Sequence, residues 1–207
     1  MNGINFKQPL FHAVVEGRKT MTRRVMKPQP DAIRSITRQI ASHPGYEISE
    51  KVWTPAPAYH FLMSENRFIK PRYKVGETLY LKEPYFADGD YVIYRFDNEF
   101  KKPERLAWEN KLFMPERYAR YFIEITGVKA ERLQDISDED CLKEGIIAHY
   151  GGFEDCTDEE LVYYSNGIET DFETPQQAFA ALIDKINGRG TWDSNPYVWA
   201  YEFKLVK

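Results

Sequence analysis

Residues 17–24 concentrate side chains that could do chemistry, because four of the eight are Lys or Arg and two are Thr. Arg and Lys side chains bind phosphate or carboxylate through charge-assisted hydrogen bonds. The amphipathic run at 9–16 predicts one or two helical turns, with Pro9 in the first turn and Gly17 as a left-handed C-cap. The donors would then crowd onto a tight loop suited to an anionic or polar partner. A solvated basic turn is the alternative.

Lys19 and Thr22 are the pair in this segment that could carry a reaction. A Thr hydroxyl becomes a nucleophile when a base removes its proton, and Lys is such a base only when burial or nearby cations lower its pKa. Arg18, Arg23 and Arg24 surround Lys19 in the sequence and would lower its pKa. The alternative is that Thr22 bonds only the backbone while Lys19 contacts ligand or solvent.

The pattern Gly-x-Lys-x-x-Thr-x-Arg at 17–24 resembles the signature of the ASCH domain family, a branch of the PUA-like small β-barrels. Three further segments resemble the family in the same order. Residues 76–83 are similar to its G-D-x-L-x-V-x-E strand, and 132–146 to its strand-to-helix element. Residues 192–203 resemble its closing strand, in the form common among phage and prophage members. The resemblance implies an α+β phage protein built on a small PUA-like β-barrel with short helices over its ends.

The same resemblance implies a catalytic trio. One ASCH branch of small size hydrolyses N4-acylated cytidines such as N4-acetylcytidine, and its motif residues correspond here to Lys19, Thr22 and Glu144. Lys19 would be the base, Thr22 the nucleophile and Glu144 the acid that protonates the departing amine. All three side chains are then expected to line one cleft. An ordinary surface Glu in the last turn of a helix is the alternative for Glu144.

Further residues are candidates for binding the ligand. Glu83, after the strand at 78–82, could bond a cytosine-like amino group or pair with Arg23 or Arg24. Arg24 suits a phosphate or a developing oxyanion. Aromatic rings could stack an unpaired base, although core packing is the alternative for each ring. The predicted ligand-binding set is Gly17, Arg23, Arg24, Glu83, Tyr85, Trp192 and Asn195.

The elements that must position these residues are visible as local patterns. Residues 121–126 are rich in β-branched and aromatic side chains and predict a central strand. Two segments carry helix-start signals and end in Gly. The first, 137–145, opens with Ser, and the second, 174–188, opens with Thr-Pro-Gln-Gln. Residues 197–205 alternate as a strand with Tyr197, Trp199, Tyr201, Phe203 and Leu205 on one face.

We expect one domain, residues 1–207, with three insertions. Prolines in about 28–71 favour a wandering loop or a few edge strands. The insertion at about 84–115 contains a hairpin-type turn, Asp88-Gly89-Asp90, before a strand. The insertion at about 148–173 is acidic and predicts a solvated face.

Composition excludes several function classes. The net charge is −4, so affinity for nucleic acid must come from a local basic site. Cys141, Cys156 and the four histidines lack metal-ligand spacing, and no phosphate-binding or dinucleotide-binding glycine pattern is present. No metal, cofactor or membrane partner is predicted. Without an apolar span or a signal-peptide core, a cytoplasmic location is expected.

These features predict recognition of a nucleoside or single-stranded RNA-like ligand in a cleft around Lys19, Thr22, Arg24, Glu83 and Glu144. The sharper version is an amidohydrolase acting on an N-acylated cytidine-type nucleoside. One alternative is a non-catalytic RNA-binding module. Another is a phage-encoded interaction or assembly protein with an exposed apolar patch. The oligomeric state stays open.

The position of the cations and the salt dependence of oligonucleotide binding would separate these alternatives. An RNA-binding module should carry a basic stripe beyond the octet, through Lys70, Arg72, Lys74 and Lys82. Because the net charge is −4 and the cations are expected to be confined to one short loop, we predict weak oligonucleotide binding with a shallow salt dependence. Because loop residues bury little surface, Lys19→Ala is expected to leave the melting temperature nearly unchanged.

Overall fold

The protein is an α+β chain in which a mixed five-stranded sheet is accompanied by small sheets and helices. The computed structural model describes residues 1–30, 32–35, 60–64, 67–89, 91–97, 107–151, 160–165, 168 and 170–207. The α-helices of these residues are α1 (Gln8–Val15), α2 (Asp138–Lys143) and α3 (Pro175–Asn187). The strands are β1 (Asn2–Asn5), β2 (Met21–Val25), β3 (Ala32–Ser35), β4 (His60–Ser64), β5 (Arg67–Phe68), β6 (Thr78–Lys82), β7 (Tyr85–Asp88), β8 (Tyr91–Tyr94), β9 (Phe122–Arg132), β10 (Ile147–Gly151), β11 (Glu160–Tyr164) and β12 (Tyr197–Leu205).

The main sheet has the strand order β1-β6-β9-β12-β2, with β1 and β6 parallel and the other neighbours antiparallel. The predicted central strand at 121–126 is therefore confirmed as part of β9. Opposite β12, Glu202 pairs with Gly127 and Phe203 with Ile125, so Thr126 is the extra residue of a bulge in β9. The ladders of the described residues do not close this sheet into a ring, and the predicted small barrel stays a prediction.

The predicted end of α1 is confirmed, but the loop after it is shorter than expected. Pro9 lies in the first turn, and Gly17 has φ +76° beyond the C-cap, a conformation that favours glycine. The loop returns against the helix, since the Lys19 backbone N–H donates to Ala13 O at 2.9 Å. The sequence predicted a tight loop that continues to residue 24. This prediction is wrong for its second half, because Met21–Val25 form strand β2, which pairs with β12.

The two other helix starts are confirmed by their caps. The Ser137 hydroxyl accepts from the Asp140 backbone N–H at 3.2 Å and opens α2. Thr174 and Gln177 form both hydrogen bonds of a capping box at the start of α3. These bonds satisfy helix N–H groups that lack an intrahelical partner. Each cap is local, which is why the sequence reveals it.

The core lies between the main sheet and the apolar faces of α1 and α3. Phe11 and Phe179 are the large buried side chains of these helices. On β12 the predicted face buries Tyr201 and Phe203, but Val198 and Ala200 on the other face are buried too. Burial on β12 is therefore not limited to the predicted face. Residues of the other face are buried as well, because α2 packs against β2 beside them. Leu205, at the strand end, is exposed.

The described parts of the predicted insertions contain short antiparallel strands. In 28–71, β4 is the middle strand between β3 and β5, so of the predicted edge strands only β3 and β5 lie at an edge. Residues 31, 36–59 and 65–66 lie outside the described part of the chain. In 84–115, β7 and β8 form the predicted hairpin. In 148–173, β11 pairs with β10, while the acidic residues at 154–159 lie outside the described part. No helix of the described residues is long and apolar enough to cross a membrane.

Candidate functional site

Lys19 and Glu144, two members of the predicted trio, meet in a buried ion pair. Lys19 Nζ donates to Glu144 Oε2 at 2.6 Å and to Glu144 O at 2.7 Å, although 125 positions separate them. The residues are only 2% and 3% exposed. The loop is fixed beside α2 because the Thr20 N–H donates to Lys143 O at 2.9 Å. The structure therefore places the predicted base and the predicted acid in direct contact.

The environment of Lys19 favours loss of its proton. Burial is the main cause that lowers its pKa, and the nearby Arg24 and Arg23 lower it further. Glu144 opposes them by stabilising the ammonium form. The sequence predicted a lowered pKa of Lys19 from the adjacent cations, whereas in the structure burial is the larger cause. A lysine with a lowered pKa is better suited to act as a general base.

Thr22 lies on β2 directly opposite Tyr201 of β12. Opposite residues share a sheet face, and alternate residues of one strand do too, so Thr22 shares a face with Arg24, Trp199 and Tyr201. Its side chain is buried, with 5% of the residue exposed. Within the described part of the chain, no hydrogen bond joins the Thr22 hydroxyl to Lys19 or Glu144. The predicted trio is thus only partly in contact.

Arg23 points to the opposite face of β2 and is held by carboxylates. Its Nε donates to Glu131 Oε1 at 2.8 Å and its Nη2 to Asp140 Oδ2 at 2.7 Å. Its Nη1 lies 3.3 Å from Glu144 Oε1. Burial disfavours the charged guanidinium, but Glu144, Glu131 and Asp140 outweigh burial and raise the pKa of Arg23. Its predicted contact with a ligand stays a prediction; its observed contacts fix Glu144.

Glu83 is fully buried and pairs with Arg120, a residue that the sequence analysis missed. Arg120 Nε and Nη2 donate to the two Glu83 carboxylate oxygens at 2.9 and 2.8 Å. Its Nη1 bonds Asp97, and its guanidinium lies 3.9 Å from the centroid of the Tyr94 ring. The alternative in which Glu83 pairs with Arg23 or Arg24 is not observed, because both of its carboxylate oxygens accept from Arg120. The contact of Glu83 with a ligand stays a prediction. Arg120 lies outside the segments that carry the family resemblance, so no sequence signal marked it.

The remaining predicted ligand-binding residues have packing or turn contacts. The Tyr85 ring is buried 5.2 Å from the Tyr118 ring, and the Trp192 ring packs edge-on against Phe179. Asn195, with φ +42°, accepts from the Gln134 N–H at 2.9 Å in the turn before β12. None of these three lines the cavity described next, and Gly17 ends α1. The alternative of structural packing is therefore observed for both aromatic rings.

A cavity of about 510 Å³ opens beside β2, on the side of Arg24. Five cationic side chains line it, and no Asp or Glu does so among the described residues. Three aromatic residues also contribute to its wall. The lining includes Arg24, Lys27, Lys70, Arg72, Lys82, Tyr73, Trp199 and Tyr201. This concentration of cationic side chains makes the cavity a candidate site for an anion.

Arg24 connects this cavity with the Lys19–Glu144 pair. Its Nη2 donates to Asn5 O at 2.9 Å, and its guanidinium lies 5.4 Å from the centroid of the Phe6 ring. Lys19 Nζ lies 5.8 Å from the same centroid, so one aromatic ring contacts both cations. Burial is the main cause that lowers the pKa of Arg24. An anion beside Arg24 would offset that cost.

Of the other cavity cations, Lys27 follows the octet closely, whereas Lys70, Arg72 and Lys82 come from segments far from it. The Arg72 guanidinium lies 5.4 Å from the Tyr73 ring centroid, and the Lys82 ammonium donates to Leu112 O at 2.8 Å. Of the predicted basic stripe, Lys70, Arg72 and Lys82 line the cavity, whereas Lys74 does not. The expectation that the cations are confined to one loop is therefore wrong. The sheet order assembles them from separate strands and loops.

The arrangement thus consists of a buried Lys19–Glu144 pair and, across Arg24, a cavity lined by cations. Within the described ranges, no group of three or more His, Cys, Asp or Glu residues could hold a metal ion. Comparison of the chain with protein-family models, with curated proteins and with solved structures gave no match.

Proposed function

We propose that this chain binds a nucleotide or single-stranded RNA-like ligand in the cavity beside Arg24, and that it is an ASCH-type member of the PUA-like β-barrels from a phage. The observation that carries the binding proposal is the lining of five cationic side chains, contributed by described residues of the cavity wall. The family assignment rests on the sequence motifs, and Arg24 is the motif residue that lines the cavity. The RNA-binding alternative thereby gains more support than it had from the sequence.

An anionic ligand suits the cationic lining of this cavity. Arg and Lys side chains are the usual partners of phosphate oxygens, and five such side chains converge here although the chain carries a net charge of −4. The affinity for the ligand then depends on the charge concentrated in the cavity rather than on the net charge of the chain. The cavity volume lies within the roughly 300–1,000 Å³ typical of ligand sites.

The aromatic lining suits a nucleobase. Trp199 is half-buried, so part of its ring is accessible to a ligand. Tyr73 and Tyr201 are buried, their rings packed edge-on at 5.3 Å, and the Tyr201 hydroxyl accepts from the Arg72 N–H at 3.0 Å. These two rings support the wall, while Trp199 can stack a base next to the phosphate-binding cations.

The test is the salt dependence of binding to a hexauridylate oligonucleotide, measured by fluorescence anisotropy. In the double variant Lys27→Gln/Arg72→Gln we expect weaker binding and a shallower dependence of log K on log salt, by about 0.7 for each phosphate of the single strand that is no longer neutralised. The matched control, Lys74→Gln/Arg189→Gln, removes the same charge at residues that do not line the cavity. Equal slopes in the two double variants would contradict cavity binding.

A second candidate function, hydrolysis of an N-acylated nucleoside, is favoured by the contact between Lys19 and Glu144. Transfer of one proton across the 2.6 Å from Lys19 Nζ to Glu144 Oε2 would convert the ion pair into a neutral base and a neutral acid. Lys19 could then accept the Thr22 proton as Thr22 attacks the acyl carbonyl, and Glu144 could protonate the departing amine. Water would hydrolyse the resulting acyl-threonine ester.

The hydrolytic candidate is tested with N4-acetylcytidine and detection of released cytidine. Thr22→Val keeps the branched shape and removes the hydroxyl, so we expect turnover to be lost. Thr20→Val is the control, since it removes a hydroxyl from the same segment. If both variants retain wild-type turnover, Thr22 is not the nucleophile. If the wild type releases no cytidine, hydrolysis of this substrate is rejected, and the binding proposal is decided by its own test.

A further inference from the structure

The short helical turn Lys111–Phe113 presents two apolar side chains beside the cationic cavity. Phe113 is 80% exposed, the largest value among the exposed large hydrophobic side chains of the described residues. Leu112 is 54% exposed and lines the cavity itself. A single exposed apolar side chain is ordinary, but an adjacent pair at the rim of a charged cavity is a candidate contact surface.

The turn is held firmly at its start. The Asn110 side-chain oxygen accepts from the Leu112 N–H at 3.0 Å, and Asn110 O accepts from the Phe113 N–H at 3.0 Å. Leu112 O accepts from Lys82 Nζ, so a cavity cation is bonded to the turn. The backbone that carries Phe113 is therefore fixed relative to the cavity wall.

The residues on either side of Leu112 and Phe113 anchor the turn to Phe6, directly after β1, and to Tyr80 of β6. Lys111 Nζ donates to Phe6 O at 2.7 Å. Met114 is 1% exposed, and its carbonyl accepts from the Tyr80 hydroxyl at 2.9 Å. Because Lys111 and Met114 are both held by these contacts, the fold fixes the backbone of Phe113 at a position where its ring is exposed. A ring on a fixed backbone loses little conformational entropy when a ligand packs against it.

We propose that Phe113 is a stacking platform for a base that lies outside the cavity, and that the ligand is therefore a single-stranded oligonucleotide rather than a mononucleotide. The proposal rests on the proposed function. Proteins that bind single strands combine a cationic groove along the backbone with aromatic side chains that stack successive bases. Here Lys82 connects the two parts, since it lines the cavity and its ammonium donates to the backbone of the turn at Leu112. One base would lie in the cavity, and a neighbouring base would lie on Phe113.

The test compares two probes, uridine 5′-monophosphate and hexauridylate, on the full chain. We expect Phe113→Ala to weaken hexauridylate binding roughly 5- to 150-fold, the loss typical of one stacked base, and to leave monophosphate binding unchanged. Phe113→Tyr should restore hexauridylate affinity, because a phenol ring also stacks. The matched control is Tyr91→Ala, which removes an aromatic residue that is 58% exposed on the β7–β8 hairpin.

Several outcomes would overturn the inference. Unchanged hexauridylate affinity in Phe113→Ala, with the dependence on Lys27 and Arg72 intact, would reject the platform and leave the proposed cavity function standing. Equal losses for both probes would show that Phe113 acts through the cavity. If Phe113→Ala dissociates a dimer in sedimentation and leaves both affinities unchanged, the exposed ring serves self-association instead. A wild type that binds neither probe would reject the proposed function together with the platform.

Discussion

Replacing Arg23 with alanine is expected to lower the free energy of unfolding by about 3–5 kcal/mol, because three carboxylates lose the cation that they share. The Arg23 guanidinium contacts Glu131, Asp140 and Glu144, and only 4% of the residue is exposed. Water cannot replace these contacts at a buried site without opening the sheet. The measurement is urea denaturation followed by circular dichroism, with the free energy extrapolated to water.

The control for this prediction is Arg18→Ala in the same octet. Arg18 pairs with Glu16 at the surface, where both side chains are exposed. Removal of such a residue changes stability by about 0.5 kcal/mol or less. If the two variants lose the same stability, the carboxylates around Arg23 are solvated rather than buried, and its assigned role in holding Glu144 must be abandoned.

The parts of the fold that could be predicted depend on bonds between near neighbours. The caps at Ser137 and Thr174 are hydrogen bonds across three positions, and Gly17 ends a helix by its own backbone conformation. Such signals lie within one turn of chain, so a short sequence window contains both partners. The hairpin β7–β8 was predicted from its turn residues, and the central strand from its β-branched and aromatic composition, which is also read within one short segment.

The candidate site could be predicted only in part, because strand alternation decides what each cation contacts. Arg23 and Arg24 are neighbours in one motif, yet β2 sends Arg23 to the carboxylates and Arg24 to the cavity. A tight loop, as predicted, gives no such alternation. Once 21–25 is recognised as a strand, the period of two separates the two side chains.

The remaining features depend on contacts between distant segments. Arg120 meets Glu83 across 37 positions, and Lys82 reaches Leu112 across 30. The cavity itself requires the sheet order, since its cations lie on or beside β2 and β6 and in the segment at 69–73. No local pattern specifies which strands become neighbours. The sequence therefore predicted most of the cations but not the cavity that they line.

Lys19→Ala is expected to lower the free energy of unfolding by about 3–5 kcal/mol, in contrast to the small effect predicted from its position in a loop. A small effect would require a solvated side chain, whereas Lys19 is 2% exposed and bonded to Glu144. Truncation would leave Glu144 Oε2 buried without its cation and would add a cavity. Urea denaturation of the wild type and the variant gives the difference directly.

The double variant Lys19→Ala/Glu144→Gln identifies the cause of that loss. An amide in place of the Glu144 carboxylate removes the buried charge that Lys19 no longer balances, so the double variant should be more stable than Lys19→Ala alone. If it is less stable, the loss comes from packing rather than from the charge on Glu144. The result also determines how an activity assay can be interpreted. A Lys19→Ala protein that loses turnover and stability together says nothing about catalysis, whereas Thr22→Val removes one hydroxyl and leaves the Lys19–Glu144 pair in place.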